Sequence, residues 1–259
     1  MLDDIVLTKE REVAEAKNRV PTDALRERVK HRTAERDFRK AIAVNGKLSL
    51  IGELKRRSPS KGTLRERFDP VSLAQEIQDA GAAALSVLTD EFYFGGHVDF
   101  LKDVKDFTDI PVLRKDFIVD PYQVYESAFY GADAILLIVR VLTGDTLLSC
   151  MQAADEVGIE PLVEVHSEAE LKTAVNAGAR IIGINHRDLK TFKIDPTLTQ
   201  TLMPKVPSGK IIVAESGLQT AEGVQQMKTL GVHAVLIGEA LMTAPSPKDK
   251  IKELFTGTW

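Results

Sequence analysis

Beyond residue 45 the chain alternates short apolar runs with amphipathic segments of helix length. The runs cover residues 48–54, 83–88, 112–114, 133–138, 161–165, 180–184, 210–214 and 234–238. The segments between them include 70–80, 121–130, 144–157, 167–177 and 220–230. Short apolar runs bounded by turn residues read as buried strands, and the longer periodic stretches as helices. Such alternation predicts right-handed crossovers and a parallel sheet. A weak repeat reinforces it: Gly81-Ala82-Ala83, Gly131-Ala132-Asp133, Gly178-Ala179-Arg180 and Gly231-Val232-His233 each place a glycine just past a helix and before a strand. Each repeat holds two strand–helix units, so four repeats predict eight strands and closure into an α/β (β/α)8 TIM barrel. An open doubly wound sheet is the alternative. It is disfavoured because no Gly-x-Gly-x-x-Gly follows a strand and no Walker A pattern occurs.

Residues 1–45 carry no strand signal. Leu2, Ile5, Val6, Val13 and Ala16 fall near a helical stripe, Pro21-Thr22-Asp23 interrupts it, and a second charged helix starts near Ala24. This stretch reads as a helical extension, with Asn45-Gly46 as the turn into the first strand. No Pro/Ser/Gly-rich linker breaks the later alternation, which predicts one domain over residues 1–259.

Composition narrows the class. With 259 residues, 44% hydrophobic and 28% charged, the chain has the makeup of a folded globular protein. A net charge of −4 argues against a general nucleic-acid binder. The lone cysteine, Cys150, excludes an intrachain disulfide and, within Leu147-Leu148-Ser149-Cys150-Met151, reads as a buried small hydrophobe. Acidic residues at Asp3 and Asp4 and strand-sized apolar runs give neither a signal peptide nor a membrane span, so a cytoplasmic protein is expected.

Barrels of this kind build their sites at the C-terminal ends of the strands. Strand one ends in Glu53 and Lys55, which alternation places on one face, roughly 6–7 Å apart along the backbone. Lys115 and Phe117 share a face with Leu113 at strand three; Glu164 ends strand five, Asn185 and Arg187 strand six, and Glu215 strand seven. Two lysines and three glutamates converging on one mouth predict acid–base chemistry. Ser216-Gly217 and Gly238-Glu239 follow strands seven and eight, where this fold holds phosphate, although the Glu239 carboxylate must turn away from such an anion. Arg187 suits a planar carboxylate held by two parallel hydrogen bonds. A substrate with phosphate at one end and carboxylate at the other fits the layout.

A metal site is the competing chemistry, since Glu164, His166 and His186 end neighbouring strands. His186 has the opposite parity to Asn185 and Arg187, and strand one lacks His-x-His, so no metal is expected. His31, His97 and His233 read as surface or packing residues. Arg56, Arg57, Lys61, Gly62, Arg65 and Arg67 read as a mobile basic lid that steers an anionic substrate.

The stretches Glu53-Leu54-Lys55-Arg56-Arg57-Ser58-Pro59-Ser60-Lys61-Gly62, Val112-Leu113-Arg114-Lys115-Asp116-Phe117, Gly183-Ile184-Asn185-His186-Arg187-Asp188-Leu189 and Ala214-Glu215-Ser216-Gly217 resemble the indole-3-glycerol-phosphate synthase family of tryptophan biosynthesis. The resemblance runs over about residues 2–255 and includes the extension. It implies a carboxy-lyase that closes 1-(2-carboxyphenylamino)-1-deoxyribulose 5-phosphate to the indole, losing carbon dioxide and water, with no cofactor. By family position Lys115 would be the general acid and Glu164 would handle the later proton traffic. Lys55 would act as an acid or contact substrate oxygens, and Glu53 would hold the lysines in register. Glu215 would contact sugar hydroxyls or orient a lysine. Asn185, Arg187, Ser58 and Ser60 would shape the anthranilate end, with Phe117, Pro59 and Leu136 walling the ring. Phosphate would fall to Ser216, Gly217, Gly238 and Glu239. His97 and Gly52 depart from the residues common at their positions.

Two other classes compete. A phosphoribosylanthranilate isomerase predicts a Cys–Asp pair at the mouth, whereas Cys150 reads as helical. A barrel kept only for binding predicts damaged strand ends, and every expected charge is present. The expected partner is a small anionic substrate, with no nucleic acid or membrane, acting on a monomer.

Overall fold

The computed structural model describes residues 1–32 and 35–258. Eight parallel strands close a barrel in sequence order: β1 Ser49–Leu54, β2 Ala84–Leu88, β3 Val112–Lys115, β4 Ala134–Ile138, β5 Glu160–Val165, β6 Ile181–Asn185, β7 Ile211–Glu215 and β8 Ala234–Ile237. β1 closes the ring by pairing with both β2 and β8. All eight predicted strands are present, with ends shifted by a residue or two.

Strand alternation sorts the apolar residues into two cores. Ile51, Ala84, Leu113, Ala134, Leu136, Leu162, Ile181, Val213 and Ala234 fill the barrel interior. Their strand neighbours, such as Leu50, Leu85, Ile135, Val163, Ile182 and Val235, face outward and join the core beneath the helices. Cys150 is buried there, and burial pushes its thiol up to about 12.

The outer helices start where their caps dictate. In α4 (Pro70–Asp79) the Asp69 carboxylate accepts from Val71 and Ser72 N–H. Asp120 and Gln123 form a capping box on α6 (Pro121–Phe129), and Ser167 caps α8 (Glu168–Asn176). The repeated glycines Gly81, Gly131, Gly178 and Gly231 all adopt positive φ, between 79° and 98°, the conformation that ends a helix and turns the chain into the next strand. The helices not read from the sequence include α3 (Phe38–Ile42), α5 (Asp99–Phe107), α9 (Leu198–Leu202) and the helix Pro247–Leu254. Two are only five residues long, too short for a visible period.

The extension does more than precede the barrel. α1 (Leu2–Arg19) puts Leu2 and Ile5 into the same interior cluster as the strands, at the C-terminal mouth. α2 (Thr22–Val29) runs against α6, and its Arg26 reaches past it to Glu156 on the next helix, α7 (Gly144–Val157), at 2.6 Å. α3 lies against β1 and β2 and contributes Phe38 and Ile42 to the interior.

Candidate active site

Every residue assigned to the site from sequence lines one cavity at the C-terminal mouth: Glu53, Lys55, Ser58, Pro59, Ser60, Lys115, Phe117, Leu136, Glu164, Asn185, Arg187, Glu215, Ser216, Gly217, Gly238 and Glu239. Strand pairing brings them level: Glu164 lies beside Ile138 and Gly183, and Glu215 beside Asn185 and Leu236.

The charges form one buried cluster. Lys55 Nζ sits 2.6 Å from Glu53 Oε1, and Lys115 Nζ lies 3.5 Å from Glu164 and 3.9 Å from Glu215. Glu53, Glu164 and Glu215 are 4%, 0% and 1% exposed, so their charges are settled by one another rather than by water. Burial disfavours the Lys115 ammonium, yet Glu164, Glu215 and Glu53 together hold it above the usual lysine range. Burial likewise opposes ionisation of Glu53 and Glu164. Lys55 and Lys115 keep Glu53 below the usual carboxyl range, and Lys115 with His166 does so for Glu164. Glu215 is the odd carboxyl: burial, then the neighbouring Glu164 charge, push it well above that range. Of the three carboxyls facing the two lysines, Glu215 is therefore the one that most readily holds a proton.

Two glycines clear space for these groups. A Cβ on Gly183 would lie 2.1 Å from Glu215 Oε1, and one on Gly238 would lie 2.3 Å from Glu53 Oε1. Gly238, read as a phosphate-loop residue, thus also makes room for the Glu53 side chain. Gly183 was visible as a lone glycine within Ile181-Ile182-Gly183-Ile184, the mark of a close approach inside a strand. Gly52 has the same explanation, since a Cβ there would meet Ile77 Cγ2 at 2.4 Å.

The cavity also takes residues that the strand-end reading does not assign. Leu2 and Ile5 come from α1, Phe94 from the loop after β2, and Leu189 and Phe192 from the loop after β6. Phe94 and Phe117 stand with ring centroids 6.0 Å apart, forming an aromatic wall. Only the stripe on α1 hinted at Leu2 and Ile5, and it gave no direction.

His186 sits apart from Asn185 and Arg187, as its parity predicts. His186 is turned away from Glu164: its ring meets the Ser216 carbonyl at 3.0 Å and the Thr199 hydroxyl at 2.7 Å. Burial lowers its pKa, so a neutral ring donates through Nδ1 to Ser216 and accepts from Thr199. It props a loop in which Ser216 and Gly217 both take positive φ, 65° and 78°. Among the described residues no three His, Cys, Asp or Glu side chains stand close enough to share a metal ion. The Glu239 carboxylate is held by neighbouring donors. It accepts from Lys61 at 2.6 Å and Gln219 at 3.1 Å and pairs with Arg187 at 3.3 Å. Arg187 is therefore shared with a protein carboxylate, although its five donors leave capacity for another.

The basic loop is strapped down rather than loose. Arg57–Ser58 pairs antiparallel with Gly62–Thr63 in a short ribbon. Arg57 donates to the Glu91 carbonyl at 3.3 Å, and Arg65 to the carbonyls of Met242 and Ala244 at 3.2 and 2.9 Å. With Lys61 on Glu239, three of its cations are tied to the rims after β2 and β8.

Among the described residues no helix is long and apolar enough to cross a membrane. The family model for indole-3-glycerol phosphate synthase matches residues 2–254. The indole-3-glycerol phosphate synthase of Caldanaerobacter subterraneus subsp. tengcongensis is 47% identical over 242 residues, covering 93% of each chain. That of Acetivibrio thermocellus is 43% identical over 255 residues, covering 98% of each. Among solved structures, 3-hexulose-6-phosphate synthase from Salmonella typhimurium has a TM-score of 0.65 at 20% identity, covering 80% of this chain and 96% of that one. That similarity extends to the barrel fold alone, whereas the matches to the curated relatives run over 93% to 98% of the chain at more than twice the identity. The chain belongs to the indole-3-glycerol phosphate synthase family.

Proposed function

We propose that the buried lysine–glutamate cluster carries the ring closure that defines this family, with the following division of labour. Lys115 protonates the ketone oxygen of 1-(2-carboxyphenylamino)-1-deoxyribulose 5-phosphate as the ring carbon bearing the carboxylate attacks. Carbon dioxide leaves, water is eliminated, and Glu164 handles the protons of that later step. The observation that supports this reading is the Lys115 ammonium at the cavity wall, 3.5 Å from Glu164 and 3.9 Å from Glu215 and held above the usual lysine range by its carboxyl neighbours. Such a group has a proton to give at neutral pH and is held in place to give it.

Lys55, fixed by Glu53 at 2.6 Å, lies on the same wall and contacts substrate oxygens or serves as a second acid. Glu215, carrying its proton, donates a hydrogen bond to a sugar hydroxyl or steadies Lys115. Phe94, Phe117, Leu136 and Pro59 enclose the aromatic ring, while Arg187, Asn185, Ser58 and Ser60 meet its carboxylate. Phosphate lies against the loops Ser216-Gly217 and Gly238-Glu239, where backbone N–H groups approach an anion without a side chain between them. The enzyme works in the cytoplasm as a monomer and without a cofactor.

A fluorescence assay for indole-glycerol phosphate, run with and without chelator, tests the assignment together with Lys115→Ala. Product should form equally in both conditions. The variant should lose at least about 10²-fold in turnover, the lower end for a positioned proton donor, while its circular dichroism shows that the fold survives. Near-normal turnover in Lys115→Ala would sink the assignment, and chelator sensitivity would revive metal chemistry.

A further inference from the structure

Arg140 belongs to no part of the chemistry assigned above. It stands two residues past β4, and its side chain is 21% exposed. Its planar guanidinium reaches two carboxylates on two other segments. Nε lies 3.0 Å from Glu170 Oε1, and Nη1 lies 2.8 Å from Asp188 Oδ2. One cation therefore fastens the loop after β4 to the first turn of α8 and to the loop after β6. Glu170 carries the brace on to β5, because its other oxygen accepts the backbone N–H of His166 at 2.7 Å, two residues past Glu164.

Asp188 shapes the loop that it anchors. Its Oδ1 accepts from the Lys190 and Thr191 N–H groups at 3.0 and 2.8 Å. Its backbone N–H donates to the Lys193 carbonyl at 2.9 Å, and its carbonyl accepts from the Phe192 N–H at 2.8 Å. Arg140, then the Thr191 N–H, keeps the Asp188 carboxyl below the ordinary carboxylate range, so the charge that Arg140 grips is present at neutral pH. Within this turn Phe192 takes a positive φ of 58°, a conformation that a bulky side chain holds only where its surroundings impose it. The turn bears directly on Arg187. The Phe192 carbonyl accepts from Arg187 Nη1 at 3.4 Å, and Arg187 bridges to Ile194 across the hairpin.

We propose that Arg140 is a positioning residue that sets the Arg187 guanidinium for the substrate carboxylate by fixing Asp188 and the turn through Phe192; this rests on the role assigned above to Arg187. Arg187 and Phe192 line the cavity, whereas Arg140 and Asp188 stand behind them. Without Arg140 the Asp188 carboxylate keeps its own N–H donors but loses its tie to α8. The turn, the Phe192 carbonyl and Arg187 then gain freedom that substrate binding has to remove, and that cost falls on affinity for the carboxylate end. A lysine at 140 is a point charge without the guanidinium fork, so it restores only part of the brace. A plain surface ion pair would contribute little. This guanidinium is instead largely shielded, and the residue beside its partner meets the substrate.

The test measures KM and kcat in the ring-closure assay for Arg140→Met, Arg140→Lys and Asp188→Asn. Alongside, 1-phenylamino-1-deoxyribulose 5-phosphate, the substrate without its carboxylate, serves as a competitive inhibitor. Arg140→Met should raise KM about tenfold, the low end for a hydrogen bond to a charged group, with kcat and the inhibition constant as in the wild type. Arg140→Lys should recover part of that loss. Asp188→Asn, whose amide oxygen still accepts from the Lys190 and Thr191 N–H groups, should raise KM in the same direction. These two variants keep the proposal testable should Arg140→Met fold poorly. Unchanged KM in all three, or an inhibition constant that rises together with KM as a general loosening of the barrel would cause, would overturn the positioning role. Arg187→Met separates that failure from failure of the reading beneath it. It should raise KM but not the inhibition constant, and Arg140→Met in its background should add nothing. A full further loss there would overturn the route through Arg187, and a wild-type KM in Arg187→Met would overturn the assignment of Arg187 to the carboxylate.

Discussion

Lys115 and Asp116 are adjacent in the chain but belong to two charge clusters built on opposite terms. Around Asp116 every oxygen is spoken for. Oδ1 takes Lys9 at 3.1 Å and the Phe117 N–H at 2.8 Å, and Oδ2 takes Thr89 at 2.5 Å and Arg114 at 3.1 Å. Lys9 also reaches Asp90 at 2.9 Å and Glu12 at 2.8 Å, while Arg114 continues to Glu126 at 2.8 Å. Around Lys115 the carboxylates outnumber the lysines, and no oxygen of Glu164 or Glu215 meets a donor in hydrogen-bonding geometry. Saturated polar groups fix a structure, whereas buried polar groups left wanting mark where a substrate or a proton is expected. The outer cluster ties α1, and with it Leu2 and Ile5, to the strand that presents Lys115. The inner cluster is the one to which the proposed chemistry falls.

The comparison can be broken first at Lys9. Lys9→Met strands Asp90 and Asp116, and removing one partner of a buried ion network destabilises by about 3–5 kcal/mol. Urea unfolding should show that loss, whereas Lys115→Ala, which leaves carboxyls close enough to share a proton with one another, should lose less. Equal losses in the two variants would erase the distinction between the clusters.

A smaller effect appears in acid. Burial opposes the Asp116 charge, but Lys9 and Arg114 hold its carboxyl down to about 2 from an ordinary 3.8. A depressed carboxyl contributes stability that is complete above its unfolded value and lost as pH falls through the folded one. Wild type should therefore shed about 2 kcal/mol between pH 4 and 2 from this group. In Lys9→Met much of that slope should vanish from acid unfolding curves.

What the sequence made legible follows from period and parity. Eight strands, their order and the inward face of each strand end follow from alternation, so Glu53, Lys55, Lys115, Glu164 and Glu215 could be placed on one mouth before any coordinates. Parity also set His186 apart from Asn185, and its ring does point to Thr199. Contacts set by tertiary approach were not legible. Lys9 looks like one more exposed cation on a charged helix until Asp90 and Asp116 are brought to it. Glu239 could be placed at the phosphate loop but its carboxylate's partners could not, because nothing local shows Lys61, Gln219 and Arg187 gathering around it. The basic loop looked mobile because its anchors are carbonyls far along the chain, at Glu91, Met242 and Ala244.

The least perturbing change is Glu215→Gln. If Glu215 already carries its proton, the amide replaces a neutral group of the same shape, and stability should move by no more than about 0.5 kcal/mol. The same pair of proteins gives the most direct test of the inner cluster. Infrared difference spectroscopy at neutral pH reads the carbonyl stretch of a protonated carboxylic acid separately from ionised carboxylates. The account predicts one such band in the wild type and its disappearance in Glu215→Gln; a wild-type spectrum without it, or a band that survives the substitution, would contradict the assignment of the retained proton to Glu215.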